Sequence, residues 1–416
     1  MKTSNEYKET KLGVLPEEWE VKKLELLVHK IVGGGTPSRD KSEYFGGNIP
    51  WATVKDLSEE NYKDKTIEYI SIAGLNNSSS KIIEKNNFII STRMGLGRGF
   101  INTEDMAINQ DLKGIYPKTE ILNVVYLMYW YKYNGLLFES LGSGSTVKGI
   151  DLKTLKNLQI PLPPLTEQQK IAEILSTWDN SIENLENLIS KKIETKKGLM
   201  QNLLTGKVRF PGFEDEWKNT NLGSISKTVT DYVANGSFAT LRENVTYLDE
   251  GYAILLRVVD YNANFKQKFV YIDEKAYNFL SKSKVFENDI ILCNVGTVGT
   301  VFKAPKLDKP LSLAPNSILY RTNQNSEFIF QWFSSEIGQN SISTITSTTA
   351  QPKFNKTDFK TLPISLPPVE EQQKIAEILS TQDKEIDLLK QKLELVKTQK
   401  KGLMQNLLTG KVRVNV

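Results

Sequence analysis

The strongest constraint on this chain is that one long stretch occurs in it twice. Residues 162–209 read LPPLTEQQKIAEILSTWDNSIENLENLISKKIETKKGLMQNLLTGKVR, and residues 366–413 read LPPVEEQQKIAEILSTQDKEIDLLKQKLELVKTQKKGLMQNLLTGKVR. They align without a gap at an offset of 204 residues (366 against 162), and about two-thirds of the positions are identical. Any fold that houses one copy must house the other, so duplication organises everything else.

Each copy reads as one long helix. Pro163-Pro164 and Pro367-Pro368 stop whatever precedes. Thr166 with Gln169 fits a capping box, and Glu370 supplies a favourable charge at the matching position. Gly206 and Gly410 stand where a helix would end in the left-handed conformation. A 4-3 spacing runs through Ile171, Leu175, Trp178, Ile182, Leu185, Ile189, Leu199 and Leu203, interrupted at Lys192 and Lys196. The second copy repeats it through Ile375, Leu379, Ile386, Leu389, Leu393, Val396, Leu403 and Leu407, interrupted at Gln382 and Lys400. These are heptad seams, and some 40 residues at about 1.5 Å each make a rod of roughly 60 Å. A core-facing helix is the bland explanation of one such stripe; two matching stripes in one chain favour their pairing with each other.

The segments ahead of the helices are related more loosely. Glu17-Glu18-Trp19 parallels Asp215-Glu216-Trp217; Ile89-Ile90 with Gly95 and Gly97 parallels Ile290-Ile291 with Gly296 and Gly299; residues 142–149 face 347–353. Short β-branched and aromatic runs between Gly, Asn, Ser and Asp turns predict α+β domains. The expected division is a first domain over residues 1–160, a helix over 161–210, a second domain over 211–364 and a second helix over 365–416. Pairing along both seams requires the helices to be antiparallel. The expected fold class is therefore α+β, with two inverted globular domains joined by two long antiparallel coiled-coil helices about a pseudo-two-fold axis. Two similar heads on a rigid spacer suit a duplex target with two half-sites and unread bases between them.

Helices opening Leu-Pro-Pro-x-x-Glu-Gln-Gln-Lys-Ile-Ala and closing Lys-Gly-Leu-Met-Gln-Asn-Leu-Leu-Thr-Gly, alternating with variable domains, resemble the specificity (S) subunits of type I restriction–modification systems. The resemblance covers essentially the whole chain. Gly34-Gly35-Thr36-Pro37-Ser38 and Ile49-Pro50-Trp51 resemble a common first target-recognition domain, whereas the second domain has Ala253-Ile254-Leu255-Leu256-Arg257 in their place. The resemblance implies a sequence-specific DNA-recognition subunit that reads a bipartite target and directs methylation or cleavage by its partners. It implies double-stranded DNA, two methyltransferase subunits and restriction–translocation subunits as partners. S-adenosylmethionine, ATP and Mg²⁺ would serve those partners, with no cofactor or metal bound by this chain.

Composition narrows the alternatives. His29 is the only histidine and Cys293 the only cysteine, which removes His-paired nucleophiles, intrachain disulfides and thiolate metal clusters. No Asn/Asp-Pro-Pro-aromatic loop of an amino-methyltransferase and no phosphate-binding G-x-x-x-x-G-K-[ST] loop occurs. Gly95-x-Gly97-x-Gly99 resembles a nucleotide loop, but its counterpart at Gly296 and Gly299 favours a tight turn between strands. Cys293 follows Ile290-Ile291-Leu292 and reads as core. No catalytic residue is expected. Without a secretory leader or a membrane-length apolar run, a cytoplasmic protein with no membrane association is expected. The formal charge of +4 is too small to argue for nucleic acid, so any DNA surface must come from local placement.

Base edges are read by Arg, Lys, Asn, Gln, Ser or Thr on exposed loops. The candidate DNA-binding residues in the first domain are Arg39, Lys41, Thr92, Arg93, Arg98, Ser145, Thr146 and Lys148. In the second they are Arg257, Asn294, Thr297, Thr300, Thr348, Thr349, Gln351 and Lys353. Each is equally a solvated turn residue until placed. Arg93 and Arg98 carry extra weight, because the first domain has only three arginines and two flank one Gly-rich turn. The competing reading from another class is a coiled-coil scaffold that never touches DNA; it explains the helices but not why the heads diverged while the helices did not. A self-contained enzyme is the third reading, disfavoured by the missing motifs.

Overall fold

Both copies of the repeat fold as uninterrupted helices, Leu165–Leu203 and Val369–Leu408. The computed structural model describes residues 6–142 and 149–415. Each helix begins directly after its proline pair, so the capping box expected at Thr166 and Gln169 does not form. Thr166 and Glu370 lie inside the first turn, exposed. The prolines already break the chain, and buried glutamines close the start instead. The Gln168 side chain donates to the Pro163 carbonyl (2.8 Å) and the Gln372 side chain to that of Pro367 (2.9 Å). At the other end Gly206 (φ +70) and Gly410 (φ +67) hold the expected left-handed conformation.

Contacts divide the chain into two units: residues 1–186 with 392–416, and residues 187–391. Each long helix therefore contributes a portion to both. In the first unit, Asp179 pairs with Lys400 and Glu186 with Lys397. In the second, Lys192 pairs with Glu385 and Lys196 with Asp383. As residue numbers rise on one helix they fall on the other, which makes the portions antiparallel in each unit. None of the residues assigned to the seams is exposed, whereas Leu188, Ile193, Leu388 and Leu395, off the heptad positions, are.

The polar seam positions explain the register. Asp179 accepts from Tyr129 Oη (2.6 Å) and Asn61 Nδ2 (2.8 Å) besides Lys400. At the positions 204 residues on, Asp383 takes Lys196 and Gln331 Nε2 (2.7 Å). A partly buried charge must meet its partner, so sliding the helices by a heptad would strand both ions.

Lys132 completes the first network, donating to Asn61 Oδ1 (2.6 Å) and the Glu60 carbonyl (3.1 Å). Burial pushes its ammonium down to about 8; Lys400 and Lys63 act the same way, and Glu59 and Asp179 oppose. A lysine with a depressed folded value binds fewer protons folded than unfolded between about 8 and its ordinary 10.5. Its contribution to stability therefore rises with pH across that window. The thermal midpoint of the wild type should gain on that of Lys132→Met as pH climbs from 8 to 10; parallel pH profiles would contradict this.

The globular part of each unit is built around two main sheets. In the first unit a five-stranded sheet has the order Val28–Gly33, Leu112–Pro117, Phe88–Ser91, Gly99–Asn102, Tyr62–Lys63, and a four-stranded sheet the order Glu68–Ile70, Phe45–Ala52, Met106–Ile108, Lys81–Ile83. The second unit has Ser226–Asp231, Ser317–Thr322, Ile290–Cys293, Val301–Lys303, and Tyr271–Ile272, Ala253–Leu256, Leu311–Leu313, Lys284–Val285. Phe88–Ser91 and Ile290–Cys293 are buried throughout, which accounts for the apolar runs Phe88-Ile89-Ile90 and Ile290-Ile291-Leu292-Cys293. A helix rich in aromatic residues, Val124–Tyr133 or Ser326–Ser334, packs between this layer and the start of the long helix.

The invariant Glu-Gln-Gln of the repeat ties these parts together. Gln168 Oε1 accepts from the backbone of Asn123 (2.9 Å), the residue capping the aromatic helix; Gln372 does the same for Asn325 (3.1 Å). Glu167, with none of its surface exposed, receives Arg413 through Nε (2.6 Å) and Nη2 (2.8 Å), and also Trp19 Nε1 (3.0 Å). Glu371 receives Arg209 in the same bidentate manner (3.0 and 2.7 Å). Each Arg lies beyond the end of one long helix and each Glu at the start of the other, so the near-identity of the copies follows from one joint built twice.

Candidate nucleic-acid interface

In the first unit the strands Phe88–Ser91 and Gly99–Asn102 form a hairpin whose turn, residues 92–98, carries Arg93 and Arg98. The glycines are a turn, not a phosphate cradle. Gly95 and Gly97 have φ of +96 and +81, and a Cβ on Gly97 would lie 2.3 Å from the Gly135 backbone. The backbone of Arg93 pairs with Gly149, and Ile150 donates to the Thr92 carbonyl (2.9 Å). The fold thus joins the hairpin turn to the end of the Ser/Gly/Thr/Lys segment ahead of the long helix. Ser145, Thr146 and Lys148 lie outside the described residues.

A third segment joins them. The loop Asn109–Asp111 accepts the Thr92 amide at the Asp111 carbonyl (2.9 Å), and the Asp111 carboxylate lies 3.5 Å from Arg93, whose side chain stays about half exposed. Lys113 donates to the Gln110 carbonyl (3.1 Å). Burial lowers its ammonium; Asp111 opposes that shift and the neighbouring Arg93 charge reinforces it. Thr36 donates to Gln110 Oε1 (2.5 Å), which brings Gly-Gly-Thr-Pro-Ser to the same loop. Gly34 and Gly35 are required there by close approach: a Cβ would lie 1.9 Å from the Ile108 carbonyl or from Ser79 Oγ. Arg98 is exposed and makes no ion pair among the described residues. Thr92 is buried, its hydroxyl spent on the Asp111 carbonyl (3.1 Å). Arg39 and Lys41 belong to another segment: Arg39 pairs with Glu68 (2.7 Å) and lies over the Phe45 and Trp51 rings, and Lys41 lies over Tyr44.

The second unit builds the same junction with other side chains. Val295 pairs with Lys353, Gly296 donates to the Pro352 carbonyl (3.0 Å), Phe354 to that of Asn294 (3.1 Å), and Asn294 to that of Asn316 (3.0 Å). The hairpin turn thereby meets the loop Ser347–Lys353, where Ser347, Thr349 and Lys353 are linked by short-range hydrogen bonds. Thr348, Thr349, Gln351, Lys353 and Thr297 are exposed, and Thr300 is half-buried with its hydroxyl on the Thr297 carbonyl (2.9 Å). The Asn294 side chain is committed to the Phe354 carbonyl (3.1 Å). Arg257 is committed to the fully buried Asp260 through Nε (3.2 Å) and Nη2 (2.6 Å), in the place where Thr53 caps a turn with Asp56 in the first unit. Cys293 is buried, and among the described residues no group of His, Cys, Asp and Glu is arranged to hold a metal ion. No helix among them is long and apolar enough to cross a membrane.

The family model described as the type I restriction modification DNA specificity domain matches the chain twice, over residues 16–195 and 214–398. The chain belongs to this family. Among type I relatives, it is 27% identical over 420 residues to the MjaVIII specificity subunit of Methanocaldococcus jannaschii, covering 96% of this chain and 94% of that protein. It is 33% identical over 259 residues to the MjaIX specificity subunit of the same organism, covering 57% of each. That alignment spans little more than half of the relative. The crystal structure of a type I S subunit from M. genitalium shares the fold, with a TM-score of 0.58 at 16% identity and 98% coverage of both chains.

Residue types alone did not bring out Gln110, Asp111, Lys113 and Asn316. Each lies in or beside a short polar break between two apolar strands, reading as an ordinary turn. The missing signal was long-range: only strand pairing places these loops beside the hairpin turn.

Proposed function

We propose that this chain is the sequence-reading subunit of a type I restriction–modification complex, each unit contacting one half of a bipartite DNA target separated by unread bases. The observation that carries this reading is the junction built twice. In each unit a hairpin turn, the loop before the long helix and a third short loop converge on one frame, yet the residues presented differ. Arg93 and Arg98 stand where the second unit has Val295 and Thr300. A constant frame with variable polar and cationic tips suits readers of two different half-sites.

The chemistry is left to partners. Two methyltransferase subunits would bind S-adenosylmethionine, and restriction–translocation subunits would use ATP and Mg²⁺; this chain would hold none of these. Its output would be adenine methylation at the target or cleavage away from it, in the cell interior.

The test is binding of defined duplexes by the chain with its methyltransferase partner, in competition with random duplex. Arg93→Ala or Arg98→Ala should weaken cognate binding by about 1–3 kcal/mol where the arginine reads a base. A phosphate contact would instead lower affinity for all sequences and flatten the salt dependence. Wild-type affinity in both variants would place this turn away from DNA and remove the proposed interface. A complex that prefers no sequence would favour the scaffold reading.

A further inference from the structure

We propose that Met94 is a specificity-determining residue that makes an apolar contact with a thymine methyl group in the half-site read by the first unit. The inference rests on the function proposed above and adds to it a residue and the group it would read.

Met94 occupies the left-handed region, with φ of +58. Among the described residues, the other non-glycine positions of positive φ are Asn86, Asn264, Asn288, Asn316 and Phe265. Asparagine tolerates this conformation, and Phe265 is packed against the apolar cluster around Phe302 and Leu311. Met94 has neither excuse. It is 55% exposed at the tip of the hairpin, and no apolar cluster includes it.

The turn does not require a side chain there. Ser91 donates to the Arg93 and Met94 carbonyls, and its amide bonds to the Arg98 carbonyl; Cys293 makes the matching amide bond to Thr300. Arg93 pairs with Gly149 as Val295 pairs with Lys353. These pairings align Met94, rather than Gly95 as the sequence parallel had it, with Gly296, which takes φ of +89. Glycine adopts this conformation without strain; the first unit carries methionine instead. A strained residue with an exposed side chain points to a role outside the fold.

The setting selects the partner. Exposed Arg93 and Arg98 flank the tip, and Lys113 lies beside it. A two-stranded ribbon with cationic flanks fits the major groove, where the one apolar group on the base edges is the thymine C5 methyl. A flexible thioether suits such a contact.

The experiment uses the full chain with its methyltransferase partner and duplexes carrying its mapped target, with each thymine of the first half-site replaced in turn by uracil. Uracil removes only the methyl. Wild type should lose about fourfold in affinity at one position, the worth of one buried methylene. Met94→Gly should bind the thymine duplex less tightly, be indifferent to uracil there, and show a higher thermal midpoint because strain is relieved. Met94→Asn tolerates the backbone conformation without an apolar side chain and should match Met94→Gly, while Met94→Leu should keep the response. An unchanged affinity and uracil profile in Met94→Gly overturns the proposal and leaves the proposed function standing. A wild-type complex without any preferred sequence would bring down both.

Discussion

Replacing Glu167 with alanine should destabilise the chain by about 3–5 kcal/mol, the typical cost of removing one partner of a buried ion pair. Glu167 is wholly buried and receives three donors, two from Arg413 and one from Trp19. Without it the Trp19 N–H is left unpaired inside the core, and the Arg413 guanidinium, 30% exposed, retains only Glu18 and whatever water can reach it. That partial exposure places the expected value toward the lower end. Glu371→Ala should cost less: Glu371 holds Arg209 in the same way, but the Trp217 indole has no partner to lose. The exposed Glu173, paired only with Lys170 three residues away, is the control, with an expected effect within about 0.5 kcal/mol. Denaturant or thermal unfolding reports all three. Equal effects at Glu167 and Glu173 would show that the joint between the helices contributes nothing.

Exchange of residues 16–160 for the matching region of another family member should change one half of the recognised sequence completely and leave the other half as it was. The expectation follows from the self-sufficiency of each reading frame. The hairpin turn, the loop Asn109–Asp111 and the segment ending at Gly149 are bonded to one another within the first unit, and their counterparts at 294–300, 316 and 347–353 within the second. The joints to the helices use Glu167, Gln168, Asp179 and Arg413, which the exchange retains. Trp19, Asn61, Asn123 and Tyr129 lie in the exchanged region and must be matched in the donor, or the chimera loses stability rather than specificity. Methylation mapping of a host carrying the chimera reads the result. A change in both halves would contradict independent reading.

The helices were legible in the sequence because their information is local and repeated. Heptad spacing, proline pairs and terminal glycines mark the same residues in both copies, and the lysines at the seam positions, Lys192, Lys196 and Lys400, proved to be ion-paired rather than defects. The start of the first helix was misread, whereas Glu370 does lie in the first turn of the second, where its charge is favourable. Thr166 with Gln169 satisfies the capping pattern, but the proline pair admits the helix two residues earlier, and Gln168 takes up the closing role through contacts no spacing rule contains. The candidate interface was legible only in pieces. Arg93, Arg98, Thr297 and the loop Ser347–Lys353 stood out by residue type, and strand pairing then joined the hairpin turn to its neighbouring loops. Arg257 stood out for the same reason, yet its guanidinium neutralises Asp260, a carboxylate whose complete burial is a property of the fold. Met94 was invisible to residue type, because its interest lies in a backbone angle.

Single-molecule methylation mapping of a host carrying this chain with its methyltransferase subunits tests the central claim most directly. The account predicts one methylated motif that disappears when the chain is deleted, made of two short specific sequences separated by a fixed run of unread bases. A single uninterrupted motif, or methylation unaffected by the deletion, would contradict it.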